Sequence, residues 1–403
     1  MDTFRVVGAC DESYSESISR RTELMRRIYL DNNSTTPIAA PVRDAMAPFL
    51  AEYYGNPSSM HSMGRVCSEA IEDARGHVAA AIGAEREQIV FTSGGTESNN
   101  TALKGVLLRE APSVDGHLIV SVLEHPAISR PAEYLARLGV AVSEVGCDAH
   151  GRVEPDAVGR AIRSDTRLVS VMHANHEIGT VQPIREIANI CREHNVLLHT
   201  DAAQSLGKIP VNVCDLGVDL LSIAGHKFGA PKGIGALFVG DKVLLEPLMH
   251  GAGHEQGMRA GTENVPGIVG LGTAAVLAAR GLETNGARML FLRDRLLDHL
   301  SEVIGPSLSI NGEQGQRLPN TLSVNFPNVV GRELLARVPE VCASTGAACH
   351  STGATLSKTQ RAIGLRPAIG NGTVRLSLGW HTSEDDVERA ASLLIGAWES
   401  LTR

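Results

Sequence analysis

The sequence predicts an α/β protein with a mainly parallel central sheet and a second, smaller α+β domain. Between residues 65 and 280, short apolar runs alternate with amphipathic stretches, as in β–α units around a parallel sheet. After about residue 285 the pattern changes to a helical stretch, isolated strands and a loop rich in Gly, Ala and Ser. A chain of 403 residues, 43% of them hydrophobic, is long enough to build more than one lobe.

The apolar runs give the predicted strands in chain order. In the first part of the chain they lie at residues 88–91, 117–123, 167–172, 196–199, 219–223 and 236–239. In the second part, strands are predicted at 321–324 and 373–378, and helices at 289–303 and from Ser383 onward. Polar or glycine-rich residues follow the early runs. Ligands of such sheets bind beyond the carboxyl ends of the strands, so the functional residues are expected there.

These elements divide the chain into two expected domains and an extension. Residues 37–284 form the large domain, and residues 28–36 with 285–403 form the small one. Residues 1–27 mix Asp, Glu, Ser and Arg without an apolar stretch, which fits neither a secretory signal nor a transit peptide. We expect them to be a disordered extension.

Composition excludes several classes of function. The net charge is -8 and no run of five like charges occurs, so neither a nucleic-acid groove nor a polybasic membrane patch is expected. The seven cysteines form no CxxC pair, which indicates reduced thiols in a cytosol. The fifteen histidines show no HExxH spacing, and no metal is assigned. No apolar run is judged long enough to span a bilayer.

A lysine stands directly after one predicted strand. The segment from Ser222 to Lys227 is an apolar strand that runs into a lysine beside His226, and a glycine-rich turn follows. A partly desolvated lysine near other cations has a lowered pKa and can form a Schiff base with an aldehyde. Most lysines after strands are solvated surface groups, so this segment needs support from the others.

A second segment has the composition of a phosphate-binding loop. Residues Thr92 to Asn99 follow a strand, contain Gly94 and Gly95 among several hydroxyl side chains, and open a helix-like stretch. The N-H groups and the dipole of a helix N-terminus bind phosphate. An ordinary Ser or Thr cap explains one hydroxyl group but not the two glycines with it. Both interpretations stay open from this segment alone.

An aspartate and a cysteine are two further candidate site residues. Asp201 ends the apolar run before Gln204, where it can pair with a pyridinium N-H or simply cap a helix. Cys349 lies among Gly, Ala, Ser and Thr next to His350, a setting typical of an exposed, reactive thiolate, whereas Cys342 follows an apolar stretch and looks structural. Phosphate loop, acid and lysine, each at a strand end, together indicate a pyridoxal 5'-phosphate (PLP) site.

These residues resemble the class V, aminotransferase-fold cysteine desulfurases and the related selenocysteine lyases. The resemblance runs from the segment Tyr29 to Pro37 to the C-terminal helix. It implies the PLP-dependent transferase fold of the aspartate aminotransferase type, PLP as the cofactor, a homodimer and a cytoplasmic location.

The resemblance also implies how the cofactor is held. Lys227 carries PLP, Asp201 pairs with its ring nitrogen, and Gln204 forms a hydrogen bond with its ring oxygen O3'. His125 stacks on the ring and moves protons. The phosphate is implied to lie against Gly95, Thr96, His226 and, from a second subunit, Thr262.

The same resemblance implies the reaction and its substrate site. L-Cysteine is converted to L-alanine, and its sulfur passes to Cys349 as a persulfide for a protein acceptor such as a scaffold or carrier; no direct nucleic-acid binding is implied. Asn33, Asn175 and Arg375 hold the substrate, with Arg375 gripping its carboxylate as a planar fork. Iron-sulfur assembly, thiolation of tRNA or cofactors, and DNA sulfur modification can all draw on such a persulfide.

Two positions depart from the family pattern. Ala224 stands where many desulfurases have a serine that contacts the phosphate, and Gln256 stands where relatives often have arginine. The residue at 224 and the loop around Cys349 keep a selenocysteine lyase open as the alternative. An aminotransferase has no need for Cys349. A catalytically silent partner-binding fold has no need for the four residues Lys227, Asp201, Gln204 and Cys349 together.

Overall fold

The computed structural model describes residues 27–109, 115–312, 316–345 and 356–403. Its strands, in chain order, are β1 (Ile28–Tyr29), β2 (Ile89–Thr92), β3 (His117–Ser121), β4 (Ala141–Val145), β5 (Thr166–Ser170), β6 (Leu197–Asp201), β7 (Leu220–Ala224), β8 (Gly235–Val239), β9 (Ser309–Ile310), β10 (Thr321–Asn325), β11 (Val341–Cys342) and β12 (Thr373–Ser377). Its α-helices are α1 (Ala40–Ala51), α2 (Ser62–Ile82), α3 (Gly95–Leu107), α4 (Pro126–Arg137), α5 (Pro155–Ala161), α6 (Ile184–Glu193), α7 (Val213–Leu216), α8 (Val265–Ile304), α9 (Gly331–Ala336), α10 (Lys358–Ala362), α11 (Pro367–Gly370) and α12 (Glu384–Thr402).

The large lobe is built on a seven-stranded sheet with the order β2-β8-β7-β6-β5-β3-β4. Strand β8 runs antiparallel to both of its neighbours, and the other pairings are parallel. The predicted mainly parallel sheet is therefore confirmed. Helices cover both faces, which is why strands such as β3 and β7 are buried along their whole length.

Strand β4 escaped the sequence prediction. It lies at the edge of the sheet and pairs with β3 alone. Its residues include Ser143 and Glu144, and most of them are only partly buried. An edge strand with this composition lacks the continuous apolar run that identifies the central strands.

The small lobe contains an antiparallel sheet with the order β12-β10-β9 and the parallel pair β1-β11. Strand β1 joins this lobe from the start of the chain, with Ile28 opposite Val341. A separate apolar core fills the lobe and includes Leu322, Phe326 and Leu376. Helix α12 closes it, capped by Ser383, whose hydroxyl accepts a hydrogen bond from Asp386 N.

Helix α8 joins the two lobes and is much longer than the predicted helix at 289–303. Its 40 residues span about 60 Å. The first half contributes Ile268 and Leu271 to the core of the large lobe, and the second half contributes Leu292 and Leu296 to the small one. Glycines obscured its first half in the sequence; a Cβ on Gly272 would lie 2.6 Å from Ala74 Cα, so glycine permits the close contact with α2.

Helix α8 also meets the length and composition of a membrane span, contrary to the sequence expectation that no run is long enough. Its most apolar window has a mean hydropathy of 1.5, and 44% of that window is buried inside the protein. Along the whole helix, buried residues such as Leu271 and Leu296 belong to the cores of the two lobes. The same properties are expected of a core helix, so they are weak evidence for a membrane contact.

Candidate active site

A cavity of 390 Å³ lies at the carboxyl ends of the parallel strands, where the small lobe meets the large one. Residues that follow β2, β3, β5, β6 and β7 form most of its wall, and the small lobe adds residues next to β1 and from β12. Nine of the predicted site residues line it: Asn33, Gly95, Thr96, His125, Asp201, Gln204, His226, Lys227 and Arg375.

Two predicted residues do not line the cavity, and a third is not described. Asn175 is buried beside the cavity without lining it, and its Oδ1 accepts hydrogen bonds from the N-H groups of Glu177 and Ile178, so it orders the turn after β5. Thr262 is exposed and outside the cavity of its own chain. Cys349 lies outside the described residues. The roles predicted for these three stay predictions.

Lys227 enters the cavity from a short turn after β7. Its Nζ donates hydrogen bonds to the carbonyl oxygens of Asn33 (2.7 Å) and Ser34 (2.8 Å). Burial, and then the nearby Arg375, lower the pKa of Lys227 to about 8. A large fraction of the amine is therefore neutral near pH 8, which is the form that attacks an aldehyde.

This pKa predicts how the cofactor-free protein reacts with an aldehyde. The rate at which Lys227 captures PLP should rise about tenfold per pH unit below pH 8 and level off above it, because protonation blocks the amine. Stopped-flow absorbance between pH 6 and about 10 measures the rate, and the ordinary amine of N-acetyl-lysine methyl ester, with its pKa near 10.4, is the control. A protein rate that climbs through pH 10 in parallel with the control contradicts the assignment.

Asp201 faces the same cavity from the end of β6. Its Oδ2 accepts a hydrogen bond from Asn99 Nδ2 at 2.7 Å, and its Oδ1 accepts one from Ala203 N at 2.9 Å. Each oxygen keeps a further lone pair, so the carboxylate can still accept a hydrogen bond from a protonated ring nitrogen. The two contacts fix its orientation.

The N-terminus of α3 forms another wall. Gly94 has φ 145°, a conformation that favours glycine, and it precedes the helix without any side-chain cap. Thus Gly95 and Thr96 offer backbone N-H groups to the cavity at the positive end of the helix dipole. An anion such as phosphate fits this end of the cavity. His226 lies nearby, and burial lowers its pKa to about 4, so it is neutral there.

His125 caps α4 and presents its ring to the cavity. Its Nδ1 accepts a hydrogen bond from Ala127 N at 3.1 Å, so a neutral ring carries its proton on Nε2. Burial lowers the pKa of His125, which favours the neutral ring. The ring of His176 packs edge-on against it with centroids 5.4 Å apart. The neighbouring Glu124 is buried, and burial raises its pKa to about 8, so it contributes little negative charge at neutral pH.

Arg375 comes from β12 of the small lobe and is held in place by an acid. Its Nη2 lies 2.7 Å from Asp31 Oδ1 and 2.7 Å from Ser34 Oγ, and its Nη1 donates to His176 O at 2.9 Å. The same Asp31 oxygen accepts a hydrogen bond from Ser344 Oγ at 2.9 Å. The guanidinium is thus fixed in one orientation while it lines the cavity.

Buried polar atoms show that this cavity fits a polar ligand. Asn99 Oδ1, His176 Nδ1 and Arg375 Nε are buried without a hydrogen-bond partner among the described residues, and all three residues line the cavity. Buried polar groups are normally satisfied, so a ligand is expected to complete them. An acid, an amine of lowered pKa and a free helix N-terminus match the ring nitrogen, aldehyde and phosphate of PLP.

Sequence reasoning missed several residues that shape this site. Asn99 lies four residues after Gly95, one helical turn along α3, and that spacing could have placed it on the cavity side. Asp31 and His176 act through contacts between distant segments, for which a single sequence carries no signal. Within the described ranges, no group of three His, Cys, Asp or Glu residues is arranged to hold a metal ion.

Comparison with known proteins agrees with the fold. Residues 28–390 match the family model described as Aminotransferase class-V. The chain therefore belongs to the class-V aminotransferase family.

Its relatives within that family are more specific. A protein named Cysteine desulfurase IscS, from Dictyoglomus turgidum, is 44% identical over 92% of this chain and 94% of its own length. A solved structure described as a NifS-like protein superposes with a TM-score of 0.86 at 35% identity, covering 93% of this chain and 99% of the other. A second solved structure, described as SspA in complex with cysteine, superposes with a TM-score of 0.78 at 36% identity. The match covers 88% of this chain and 99% of the other. Within the family, the chain groups with the cysteine desulfurases, and the predicted resemblance is confirmed.

Proposed function

We propose that this chain is a PLP-dependent cysteine desulfurase, which converts L-cysteine to L-alanine and transfers the sulfur to Cys349 as a persulfide. The observation that carries the proposal is one cavity that contains the amine of Lys227, the carboxylate of Asp201 and the guanidinium of Arg375. Relatives named cysteine desulfurase and a similar structure solved with cysteine support the substrate.

The described residues can hold PLP by its distinct groups. Asp201 would take the ring nitrogen, Lys227 the aldehyde carbon, and the N-terminus of α3 with His226 the phosphate. When bound, PLP withdraws electrons from the substrate Cα and makes the proton on that carbon acidic. The proposal includes a homodimer, in which exposed Thr262 reaches the phosphate of the other subunit.

Positioning and proton transfer fall to the chain's own residues. Arg375 binds the substrate carboxylate and so places Cα beside the lysine. Its Nε is buried without a partner among the described residues, and a planar fork with Nη2 requires that Nη2 release Ser34 Oγ. Lys227, with its pKa near 8, is a base matched to neutral or mildly alkaline pH and takes the Cα proton. The neutral ring of His125, which also lines the cavity, donates the proton on its Nε2 and takes one back.

Sulfur transfer requires a nucleophile, which we assign to Cys349. Its thiolate attacks the sulfur of the bound cysteine, so an S-S bond forms while the Cβ-S bond breaks and its electron pair stays on carbon. The carbon is then protonated. One cysteine and one enzyme thiol thus give one alanine and one Cys349 persulfide, without an added oxidant. A scaffold or carrier protein in the cytoplasm is the proposed acceptor of that sulfur.

The test is to offer the purified, PLP-loaded protein L-cysteine and L-selenocysteine separately. Alanine is measured in solution, and the persulfide is located by mass spectrometry of peptides. We expect alanine from cysteine together with a persulfide on Cys349. Alanine from selenocysteine with almost none from cysteine identifies a selenocysteine lyase instead, and a keto acid in place of alanine identifies an aminotransferase.

Replacing Arg375 tests substrate binding. Arg375→Gln should raise KM for L-cysteine about 10- to 100-fold with a smaller effect on kcat, because charge-assisted bonds to the carboxylate are lost. Steady-state kinetics of alanine formation gives both constants. Arg293→Gln is the matched control, since Arg293 is also a buried arginine beside an aspartate and does not line the cavity. Equal KM changes in the two variants rule out a substrate contact.

Restoring the serine found in many desulfurases tests the phosphate site. The Cβ of Ala224 lies 3.2 Å from the place that a Cβ on Gly95 would occupy, so a hydroxyl on residue 224 would lie beside the start of α3. Ala224→Ser should tighten PLP binding about tenfold, through one hydrogen bond to a charged group. Binding of pyridoxal, which lacks the phosphate, should not change. Equal gains for both ligands contradict a phosphate contact.

A further inference from the structure

A buried lysine stands behind the cavity, and none of the proposed steps uses it. Lys208 is 7% exposed. Its Nζ donates hydrogen bonds to Gln204 Oε1 at 2.8 Å and to Asn33 Oδ1 at 3.2 Å. Both partners are neutral amides, and no ion pair to Lys208 is found in the part of the chain that the structure describes.

This arrangement costs stability. A buried amine without a counter-ion loses its hydration, and the nearby Lys227 and Arg375 add repulsion. Accordingly, burial and these two cations lower the pKa of Lys208 well below its usual value. A methionine would fill the same space without that cost, so the amine is expected to serve the site.

The two hydrogen bonds decide which way the neighbouring amides point. An amide side chain has an oxygen end and an NH2 end of nearly equal size, and hydrogen bonds alone select between the two orientations. Lys208 Nζ donates a hydrogen bond to Gln204 Oε1. The other end of the amide, Nε2, then donates to Asn33 O at 2.9 Å. In the reversed orientation, the NH2 group of Gln204 would face the amine of Lys208, and its oxygen would face the carbonyl oxygen of Asn33. The two facing oxygens could not form a hydrogen bond.

The same lysine also helps to fix the orientation of the Asn33 side-chain amide. Its Oδ1 accepts hydrogen bonds from Lys208 and from Asn320 Nδ2, and its Nδ2 donates to Thr321 Oγ1 at 2.8 Å. The backbone carbonyl of Asn33 then accepts from both Gln204 and Lys227. One buried amine therefore fixes the orientation of two amide groups and, through them, the carbonyl that holds Lys227.

We propose that Lys208 is a positioning residue that locks the amide of Gln204 so that it presents a hydrogen-bond donor, not an acceptor, to the bound cofactor. The inference rests on the proposed function, because it takes PLP as the ligand and Gln204 as the donor to its ring oxygen. Lys208 itself acts through Gln204 and touches neither cofactor nor substrate.

The test begins with Lys208→Met, which keeps an unbranched side chain and removes the donors. Its dissociation constant for PLP should rise about tenfold, the effect of losing one hydrogen bond. The visible absorbance maximum of the bound cofactor should shift, because the donor to its ring oxygen is no longer fixed. The melting temperature of the cofactor-free protein should stay the same or rise.

A double-mutant cycle separates this role from a merely structural one. In a Gln204→Leu background, Lys208→Met should change PLP affinity less than twofold, since the amide through which it acts is gone. Lys208→Arg, which keeps donors, should recover most of the affinity lost in the methionine variant. The control is Ser205→Ala, in the same turn, which removes a buried hydroxyl group that has no hydrogen-bond partner among the described residues. This variant should bind PLP like the parent.

The readouts also distinguish failure of the inference from failure of the proposed function. Unchanged PLP affinity and spectrum in Lys208→Met, or equal effects of that substitution with and without Gln204, overturn the inference whatever the turnover. Absence of alanine formation in a parent protein that binds PLP overturns the desulfurase proposal alone. Should Lys208→Met fail to fold, the cycle is run with Lys208→Gln, whose shorter side chain withdraws its donor from Gln204.

Discussion

Replacing Lys227 with alanine should abolish the visible absorbance of the cofactor-loaded protein and reduce alanine formation by at least about a thousandfold. The size of the effect follows from two roles in one amine. Lys227 anchors the cofactor and then removes the Cα proton, and the pKa near 8 suits both tasks. Absorbance spectra after addition of PLP and a discontinuous assay for alanine measure the two losses separately.

A nearby lysine provides the control for that result. Lys232 lies on the glycine-rich turn five residues further along the chain and is exposed. Lys232→Ala should keep the absorbance band and most of the turnover. Substantial PLP-dependent turnover in Lys227→Ala would remove Lys227 from its assigned role, even if cofactor binding had weakened.

Replacing Cys349 with serine should leave PLP bound while it eliminates the protein persulfide and nearly all alanine formation. A hydroxyl group at this position is not ionised near neutral pH and does not attack sulfur, whereas a thiolate does. The expected pattern is therefore a normal cofactor spectrum with a blocked reaction. Mass spectrometry of the protein after a single addition of L-cysteine reports the persulfide directly.

Two other thiols of the chain are poorly suited to the role assigned to Cys349. Burial raises the pKa of Cys147 to about 11 and that of Cys191 to about 12, so neither is a thiolate near neutral pH. Cys214 is exposed, and Cys214→Ser is the matched control that should retain full persulfide formation. A persulfide that persists in Cys349→Ser and maps to another cysteine would reassign the acceptor.

The parts of the fold that the sequence predicted share one physical property. Central strands such as β3 and β7 are covered on both faces, and their continuous apolar runs stand out from the flanking segments. Edge strand β4 lacks such a run because it is only partly buried. The first half of α8 is apolar, but its sequence did not identify it as a helix. Its glycines, among them Gly272, which fits closely against α2, made that half look unlike a helix.

In the candidate site, too, some residues were predictable from the sequence and some contacts were not. Lys227 and Asp201 were predictable because each follows a strand directly and carries a distinctive chemistry. Asn33, for which a substrate contact was predicted, differs from these two residues. The structure places this residue in the cavity, yet its amide is already bonded to Lys208, Asn320 and Thr321. Such saturation depends on residues far apart in the chain, and a motif does not reveal it.

Helix α8 has a consequence for how the molecule unfolds. Because its two halves belong to the cores of different lobes, neither lobe can lose its packing against the helix without weakening the support of the other. The cavity that lies between them depends on both. The described lobes should therefore melt as one cooperative unit, and a partly folded enzyme with a single intact lobe is not expected to accumulate.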